Sequence, residues 1–561
     1  MTAWLLAEFG IRDVVVSPGS RNTPLIIAMH REERLRCHVV VDERSAAFIG
    51  LGMALASGQG VAIVCTSGSA LLNYAPAVAE AYYRHIPLVV ISADRPAAWI
   101  GQDDSQTIRQ PGALSNIVLA ECNFRDDIHK TDSTEDWFAC RELNHTLLTA
   151  LFGRRGPVHI NVQLSEPLNR QVEVGVGEDN FKKIELIAAP GRISTSQSRD
   201  MASELAGKRV LVAGGFHSPD DLLGKALGRI ARLPNVAVLV ESTANVHARG
   251  VHEAPDRILS GISDEDLAIL RPDVLITFGG ALVSRRLKEW LRRCSPGEHW
   301  HIGENEATID TFRCLTRRVE IPAAGFFPRL SGAMTHIGSS EDIKDSYSNR
   351  WDVLARQACD SSSKFIAKAP WSDLVAVNSL LNLLPRTANL QLGNGMSVRY
   401  GLLHDLSGFH RVDSNRGVSG IDGCISTAIG ASSFYNGMNF LIVGDMSAQY
   451  DIGALAAASL SPRLRIVVLN NGGGTIFRTI NSTRGLPERE MYLCCPNSIS
   501  LAEIAEGYGI RYFQAHDLTE LKSVSNEFTS DGGGCAILEI FTDGEISADV
   551  MRAYMSRSKS I

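Results

Sequence analysis

Two short stretches hold the residue types best suited to chemistry: Gly444-Asp445-Met446-Ser447 and, after a further 24 residues beyond Asp445, Asn470-Asn471-Gly472-Gly473. Each follows an apolar run, residues 440–443 and 464–469, that predicts a buried strand. Between them, residues 451–459 have the spacing and alanine content of a helix. A parallel crossover of this kind returns both strand ends to one edge of a sheet, where open α/β folds bind ligands. One carboxylate, one or two amide oxygens and loop carbonyls would converge there. That donor set suits a hard octahedral cation that also holds a diphosphate.

A second candidate is Glu43, in Asp42-Glu43-Arg44-Ser45-Ala46-Ala47, where an expected strand at 38–41 turns into a helix. It stands at a strand's carboxyl end beside a helix N-terminus. Alone, it reads as a first-turn acid favoured by the helix dipole.

The elements that must position these groups repeat in three blocks. The first has expected strands at 14–16, 38–41, 61–65, 88–92 and 158–162, with helices at 46–57 and 71–84 among the connections. Residues 169–207 break the pattern and read as a linker. The second block has strands at 210–213, 237–240 and 274–278 and helices at 219–232 and 284–291. Another polar stretch, 339–349, precedes strands at 390–392, 440–443, 466–469 and 536–540. Alternating βα units with short continuous apolar strands imply an α/β protein of three doubly wound, mostly parallel-sheet domains. Their expected bounds are 1–170, 190–340 and 355–561.

Composition narrows the function classes. A chain of 561 residues, 45% hydrophobic and 21% charged, is an ordinary globular protein with room for several cores. A net charge of −7 argues against a nucleic-acid partner, because phosphate contacts need a basic footprint. Eleven scattered cysteines without a Cys-x-x-Cys pair fit reduced thiols better than disulfides or zinc. His299-Trp300-His301 reads as alternation on a strand rather than as metal ligands. No apolar run approaches the ~18 residues a membrane span needs. Residues 1–10 lack a basic n-region and read as a short helix capped by Gly10, so a cytoplasmic protein is expected.

The Gly-Asp and Asn-Asn pairs at this distance resemble the thiamin diphosphate binding motif, with Met446 where glycine is usual. The run Ser17-Pro18-Gly19-Ser20-Arg21-Asn22-Thr23-Pro24 narrows the likeness. It resembles the Ser-Pro-Gly-Ser-Arg signature of the 2-succinyl-5-enolpyruvyl-6-hydroxy-3-cyclohexene-1-carboxylate synthases, the thiamin diphosphate enzymes of menaquinone biosynthesis. Further matches are Ala93-Asp94-Arg95-Pro96, Gln106-Thr107-Ile108-Arg109-Gln110, Ser414-Asn415-Arg416-Gly417-Val418-Ser419-Gly420-Ile421-Asp422-Gly423 and Asn471-Gly472-Gly473-Gly474-Thr475-Ile476-Phe477. They run from residue 17 to residue 477, and this branch resembles Gly-Asp-Leu-Ser at the Met446 position.

The resemblance implies a transferase that decarboxylates 2-oxoglutarate and adds the four-carbon remainder to isochorismate in a 1,4-addition. It implies Glu43 as the cofactor-activating carboxylate, with Gln106 as a second catalytic residue. Asp445, the Asn471 side-chain oxygen and the Gly473 carbonyl would hold magnesium, with manganese as an alternative. Gly444, Met446 and Ser447 would meet the cofactor, and Ile421 would be the apolar wedge that bends it. Both substrates are dicarboxylates, so an anion-binding set of Ser20, Arg21, Arg95, Gln106, Arg285, Arg286, Arg399 and Arg416 makes physical sense. Ile476 and Phe477 would wall the pocket. The resemblance also implies a homodimer or homotetramer with sites shared between chains.

Some positions depart from the pattern. Gly395 stands where the family often has a serine near substrate, which puts one substrate hydrogen bond in doubt. Arg285-Arg286 replaces a Lys-Arg pair, and the chain starts closer to its first strand than relatives do, so a turn of the first helix is expected to be missing. In the central block, Val210-Leu211-Val212-Ala213-Gly214-Gly215 lacks the full Gly-x-Gly-x-x-Gly fingerprint, so a scaffold is expected there rather than a dinucleotide site. Two rival readings are another thiamin diphosphate enzyme, such as an acetolactate synthase, and a non-catalytic α/β protein that kept the fold. The arginine set argues against the first, and intact Glu43, Asp445 and Asn471 argue against the second.

Overall fold

The computed structural model describes residues 1–560 apart from 126–132, 169–180, 189–190, 305–306, 338–345, 458–459 and 497–498. Its framework is three six-stranded sheets. The first contains β1 (Asp13–Val16), β2 (Arg36–Val39), β3 (Val61–Cys65), β4 (Leu88–Asp94), β5 (Glu121–Arg125) and β6 (Val158–Gln163), in spatial order β2-β1-β3-β4-β6-β5. The second contains β7 (Val210–Gly214), β8 (Val236–Val240), β9 (Val251–His252), β10 (Val274–Phe278), β11 (Glu298–Ile302) and β12 (Arg317–Val319), in order β12-β11-β10-β7-β8-β9. The third contains β13 (Asn389–Leu392), β14 (Arg411–Asp413), β15 (Asn439–Gly444), β16 (Leu464–Asn470), β17 (Arg511–Ala515) and β18 (Ala536–Phe541), in order β14-β13-β15-β16-β18-β17.

Every described strand pairing is parallel, for example Val14 against Ala62 in the first sheet and Val443 against Val468 in the third. Strands β1, β3, β4 and β6 are buried at every position, as a parallel sheet covered by helices on both faces requires. Counted in chain order, the first and third sheets share the order 2-1-3-4-6-5. The central sheet has the order 3-2-1-4-5-6, that of a dinucleotide-binding fold. At its β7/β10 switch point lies a cavity of about 490 Å³ whose lining includes Gly215, Gly280, His301 and Arg416.

The structure corrects several sequence expectations. The strand expected at 38–41 lies at Arg36–Val39, and the helix begins at Glu43 itself. The helix expected at 71–84 is two, Ser69–Asn73 and Ala75–Arg84, because Pro76 starts a new first turn after Tyr74. The expected linker contains the helix Thr195–Leu205, closed by a capping box between Ser194 and Gln197. The crossover helix expected at 451–459 instead spans Asp445–Tyr450, and a 3₁₀ turn follows at Ile452–Ala456. Asp451 ends that helix because its carboxylate is held by Ser426, through the backbone N–H at 2.7 Å and the hydroxyl at 2.7 Å.

The first and third sheets are joined by the helices Glu43–Ser57 and Cys424–Ser432, each of which follows the second strand of its sheet. They touch backbone to backbone. A Cβ on Gly52 would lie 2.1 Å from the Thr427 carbonyl oxygen, and one on Gly430 would lie 2.0 Å from that of Ile49. Only glycine permits such an approach. Phe48, Leu51 and Ile63 from the first unit share one continuous core with Ile425, Leu441 and Val468 from the third. Burial of each such large side chain contributes about 1.5–3 kcal/mol.

Candidate active site

The ends of β15 and β16 bring Asp445 and Asn471 together. Asp445 opens its helix directly from β15, 2% exposed. One of its carboxylate oxygens accepts the Gly473 N–H at 2.7 Å and the other accepts its neighbour's N–H, Met446, at 2.8 Å. Burial pushes its pKa up to about 6, with Asp373 adding to the rise and Arg478 opposing it. Gly473 has a φ of 118°, and a Cβ there would strike the Cys494 carbonyl oxygen at 2.2 Å, so the turn after β16 requires glycine.

Asn471 is oriented by a residue that sequence reading missed. Asp373 is fully buried and accepts the Asn471 amide Nδ2–H at 2.8 Å, the Thr542 hydroxyl at 2.5 Å and the Tyr400 hydroxyl at 3.3 Å. Burial raises its pKa, and these donors oppose the rise. With its NH₂ held by a carboxylate, Asn471 must turn its Oδ1 the other way. That oxygen is buried with no hydrogen-bond partner. A buried amide oxygen without a donor, beside a buried carboxylate and a glycine turn, fits a hard cation with oxygen ligands. Among the described residues no group of three or more His, Cys, Asp and Glu could hold a metal, so any ion here would need amide and carbonyl oxygens beside the Asp445 carboxylate. Sequence carried little sign of Asp373, since its partners lie 27 to 174 residues away.

The neighbouring cofactor candidates surround this pair. No heavy atom lies within 4 Å of where a Cβ on Gly444 would stand, which leaves open space at the strand end. The Ser447 hydroxyl donates to the Ile421 carbonyl at 2.5 Å and ties the wedge candidate to the Asp445 helix. Ile421 is 36% exposed. Met446 Sδ and the Phe477 ring both approach Gly474, and Ile476 and Phe477 lie half-buried in the helix Thr475–Thr479.

The first sheet places its candidates at the corresponding edge. Glu43 is half-buried at the start of its helix; burial raises the pKa values of Cys65 and Tyr74, and the nearby Glu43 adds to the rise. Ser20 is exposed, and Arg21 is buried with one N–H on the Leu164 carbonyl at 3.1 Å and an ion pair to Glu166 at 3.0 Å. Arg95 pairs with Asp104 at 3.0 Å and donates to the Ser105 carbonyl at 3.0 Å. Gln106 is exposed, with a φ of 58°, and its carbonyl accepts the Ser67 hydroxyl at 2.9 Å. Its loop is fixed by Gln110, the last residue of the motif that Gln106 opens, whose role the sequence did not indicate. Gln110 is fully buried, accepts the Gly68 N–H at 2.8 Å and donates to Ala93 and Asn161.

The remaining cations gather where the central and third units meet. Arg399 lies within electrostatic reach of Arg416 and Arg285, and burial lowers the pKa values of both Arg399 and Arg416. Arg416 donates to Asn394 Oδ1 at 3.0 Å. Arg285 is exposed and paired with Glu289 at 2.6 Å. Arg286 donates to two carbonyls, Leu259 at 3.3 Å and Met555 at 2.6 Å, and so stitches the central unit to the last helix. Gly395 has a φ of 87° at the start of the helix Met396–Gly401, a conformation that favours glycine. Its carbonyl accepts an N–H from Arg399.

The loop carrying Arg416 is gripped from the first unit by a second residue that sequence reading missed. Glu80 is buried in the helix Ala75–Arg84 and accepts the N–H groups of Gly417 at 2.7 Å and Val418 at 2.8 Å. His299 and His301 share Thr277 Oγ1, at 2.8 and 2.9 Å, on β11 as the alternation predicted.

Residues 1–113 match the family model described as the N-terminal TPP binding domain of thiamine pyrophosphate enzymes. The chain is 40% identical over 554 residues to the 2-succinyl-5-enolpyruvyl-6-hydroxy-3-cyclohexene-1-carboxylate synthase of Porphyromonas gingivalis, covering 98% of this chain and 94% of that one. The enzyme of the same name from Flavobacterium johnsoniae is 34% identical over 533 residues, covering 95% and 94%. That from Desulfotalea psychrophila is 35% identical over 535 residues, covering 95% and 96%.

Proposed function

We propose a division of labour for this site, starting from the fact that the chain belongs to the 2-succinyl-5-enolpyruvyl-6-hydroxy-3-cyclohexene-1-carboxylate synthase family of thiamin diphosphate enzymes. The reaction is decarboxylation of 2-oxoglutarate and 1,4-addition of the succinyl unit to isochorismate, a step of menaquinone biosynthesis. When bound, thiamin diphosphate supplies the electron sink for loss of carbon dioxide.

Asp445, Asn471 Oδ1 and the Gly473 carbonyl would hold magnesium, or manganese, and through it the diphosphate. Ser447 and Met446, at the start of the same helix, would line the diphosphate, with Gly444 leaving room beside it. Ile421 would pack against the cofactor. Glu43 would exchange a proton with the aminopyrimidine ring through its carboxylate, and Gln106 would stand beside the reacting centre. Ser20, Arg21 and Arg95 from the first unit would bind substrate carboxylates together with Arg285, Arg286, Arg399 and Arg416. Gly395 would leave its part of that pocket open. Ile476 and Phe477 would keep water from the carbon being transferred.

The chain is assigned three units, 1–170, 190–340 and 355–561. The first acts on the pyrimidine, the third holds the diphosphate, and the second is a scaffold that contributes cations. A homodimer or homotetramer with shared sites is supported by exposed apolar side chains beside the candidate residues. Val41, Val418 and Ile421, beside the candidate residues, are 76%, 45% and 36% exposed. The enzyme is placed in the cytoplasm, in keeping with cysteines that are all free among the described residues. No described helix is long and apolar enough to cross a membrane.

The observation that carries the anchor assignment is the unpartnered, buried Asn471 Oδ1 beside Asp445. Asp445→Ala removes the only charged ligand of the set and should abolish metal-dependent thiamin diphosphate binding. Calorimetry that finds unchanged cofactor affinity in magnesium would refute it.

A further inference from the structure

The central unit's share of the site is set by one short segment that no motif marks, Glu241-Ser242-Thr243-Ala244-Asn245, at the end of β8. Glu241 is fully buried. Its two carboxylate oxygens accept the N–H groups of Val283 at 2.8 Å and Ser284 at 2.7 Å, 42 and 43 residues away. Ser284 is the N-cap of the helix Arg285–Cys294, where its hydroxyl oxygen accepts the Leu287 N–H at 2.9 Å and donates its proton to buried Asp256. A carboxylate at the positive end of that helix fixes its start both by hydrogen bonds and by charge.

Asn245, at the other end of the segment, is 5% exposed with a φ of 52°. Its amide meets Val412 in the manner of a neighbouring strand. The Oδ1 accepts the Val412 N–H at 2.8 Å and the Nδ2–H donates to the Val412 carbonyl at 3.1 Å. Val412 lies in β14, the edge strand of the third sheet, four residues before Arg416. One segment therefore grips both the helix that presents Arg285 and Arg286 and the strand that leads into Arg416.

Its charge matches the task. Glu241 lies within electrostatic reach of Arg416 and Asp256, and Lys288 in turn feels Glu241. Asp256 faces Arg286, Arg399 and Lys288. Cations held this closely repel one another, and Glu241 and Asp256 beneath them offset that repulsion in proportion to their ionisation, since burial raises both pKa values, that of Glu241 to about 7.

We propose that Glu241 and Asn245 are positioning residues for substrate: they hold the arginines of the central unit in register with Arg416, so that a dicarboxylate meets a preformed anion site. The inference rests on the reading of these arginines as substrate ligands. Neither residue is placed near the reacting atoms or the diphosphate anchor, so their loss should act on substrate affinity and spare the cofactor.

Steady-state kinetics with 2-oxoglutarate and isochorismate, on the holoenzyme with saturating thiamin diphosphate and magnesium, test it. Glu241→Gln keeps the volume but turns an N–H toward a backbone N–H, and Asn245→Ala removes the strand-like bridge. Each should raise KM for at least one substrate about tenfold with kcat within about threefold and cofactor affinity unchanged. Asn245→Ala and Arg416→Ala should combine to less than the product of their separate effects on KM, because they act through one strand. A role in stability alone would lower the melting temperature and the active fraction while leaving KM as in the parent, and that result overturns the proposal. Should Glu241→Gln fail to fold, Asn245→Ala alone decides. Arg286→Ala and Arg416→Ala separate the two readings. If both leave each KM unchanged, the substrate-ligand reading fails and the proposal with it. If they raise KM while Glu241→Gln and Asn245→Ala do not, only the positioning role fails.

Discussion

The first and third sheets share the strand order 2-1-3-4-6-5, yet their carboxyl ends carry different chemistry. In the third sheet, β15 ends at Gly444 with Asp445 next, and β16 ends at Asn470 with Asn471 next. In the first, the corresponding β3 ends before Thr66-Ser67-Gly68, and β4 ends at Asp94 with Arg95 next. The likeness stops at the backbone. Asp94 is occupied by the Asn161 amide at 2.9 Å and by the Arg95 N–H at 2.8 Å, whereas the third sheet leaves the Asn471 Oδ1 without a donor. The second strand of each sheet leads to the helix that packs on its counterpart, and there the roles divide again, with Glu43 beginning one helix and Ile421 preceding the other. A shared topology fixes where side chains converge, and residue type decides what they do there.

If the first sheet activates and the third anchors, variants should separate the two. Glu43→Gln should lose turnover by about 10²–10⁴-fold, the range for removal of a general acid–base. Its affinity for thiamin diphosphate and magnesium should stay near that of the parent. Turnover close to that of the parent would remove Glu43 from the chemistry.

Asp373→Asn sharpens the anchoring half. The new amide no longer compels Asn471 to turn its Oδ1 toward the site, so magnesium affinity should fall about 10–100-fold, as for other residues that orient metal ligands. Calorimetric titration of magnesium in the presence of thiamin diphosphate checks this, and an unchanged affinity would mean that Asn471 is oriented by something else.

A smaller effect follows from protonation. Burial holds the Asp445 pKa at about 6, above the ordinary carboxylate range, so the carboxylate proposed to bind a cation is lost as pH falls through about 6. Magnesium-dependent cofactor affinity should therefore drop about tenfold between pH 7 and pH 5. Asp445→Asn should retain only the part of that dependence that belongs to the cofactor's own diphosphate. An equal slope in both proteins would contradict the assignment.

The sequence reveals the three sheets unevenly, for a physical reason. Interior strands such as 61–65 and 274–278 are continuous apolar runs because both faces are buried, and the observed β3 and β10 have those same bounds. The strands that sequence reading missed, β5, β9, β12, β14 and β17, all lie at sheet edges. There one side has no neighbour and the residues are short or polar, as in Glu121-Cys122-Asn123-Phe124-Arg125. The site shows the same contrast. Asp445, Asn471 and Gly473 are legible because two adjacent strand ends carry them. Asp373, Glu80 and Glu241 are buried residues whose partners come from distant parts of the chain, and no local spacing announces them; Gln110 ends a motif that is legible, but its role in fixing the loop is not.

The division between activating and anchoring sheets, with each site built from two chains, is tested most directly by mixing Glu43→Gln chains with Asp445→Ala chains. Each parent is expected to be nearly inactive. In a mixed dimer one site carries both changes and the other carries neither, so random exchange should restore about a quarter of wild-type activity. Parents that remain inactive after mass spectrometry has shown subunit exchange would mean that each chain builds its own site, contradicting the account.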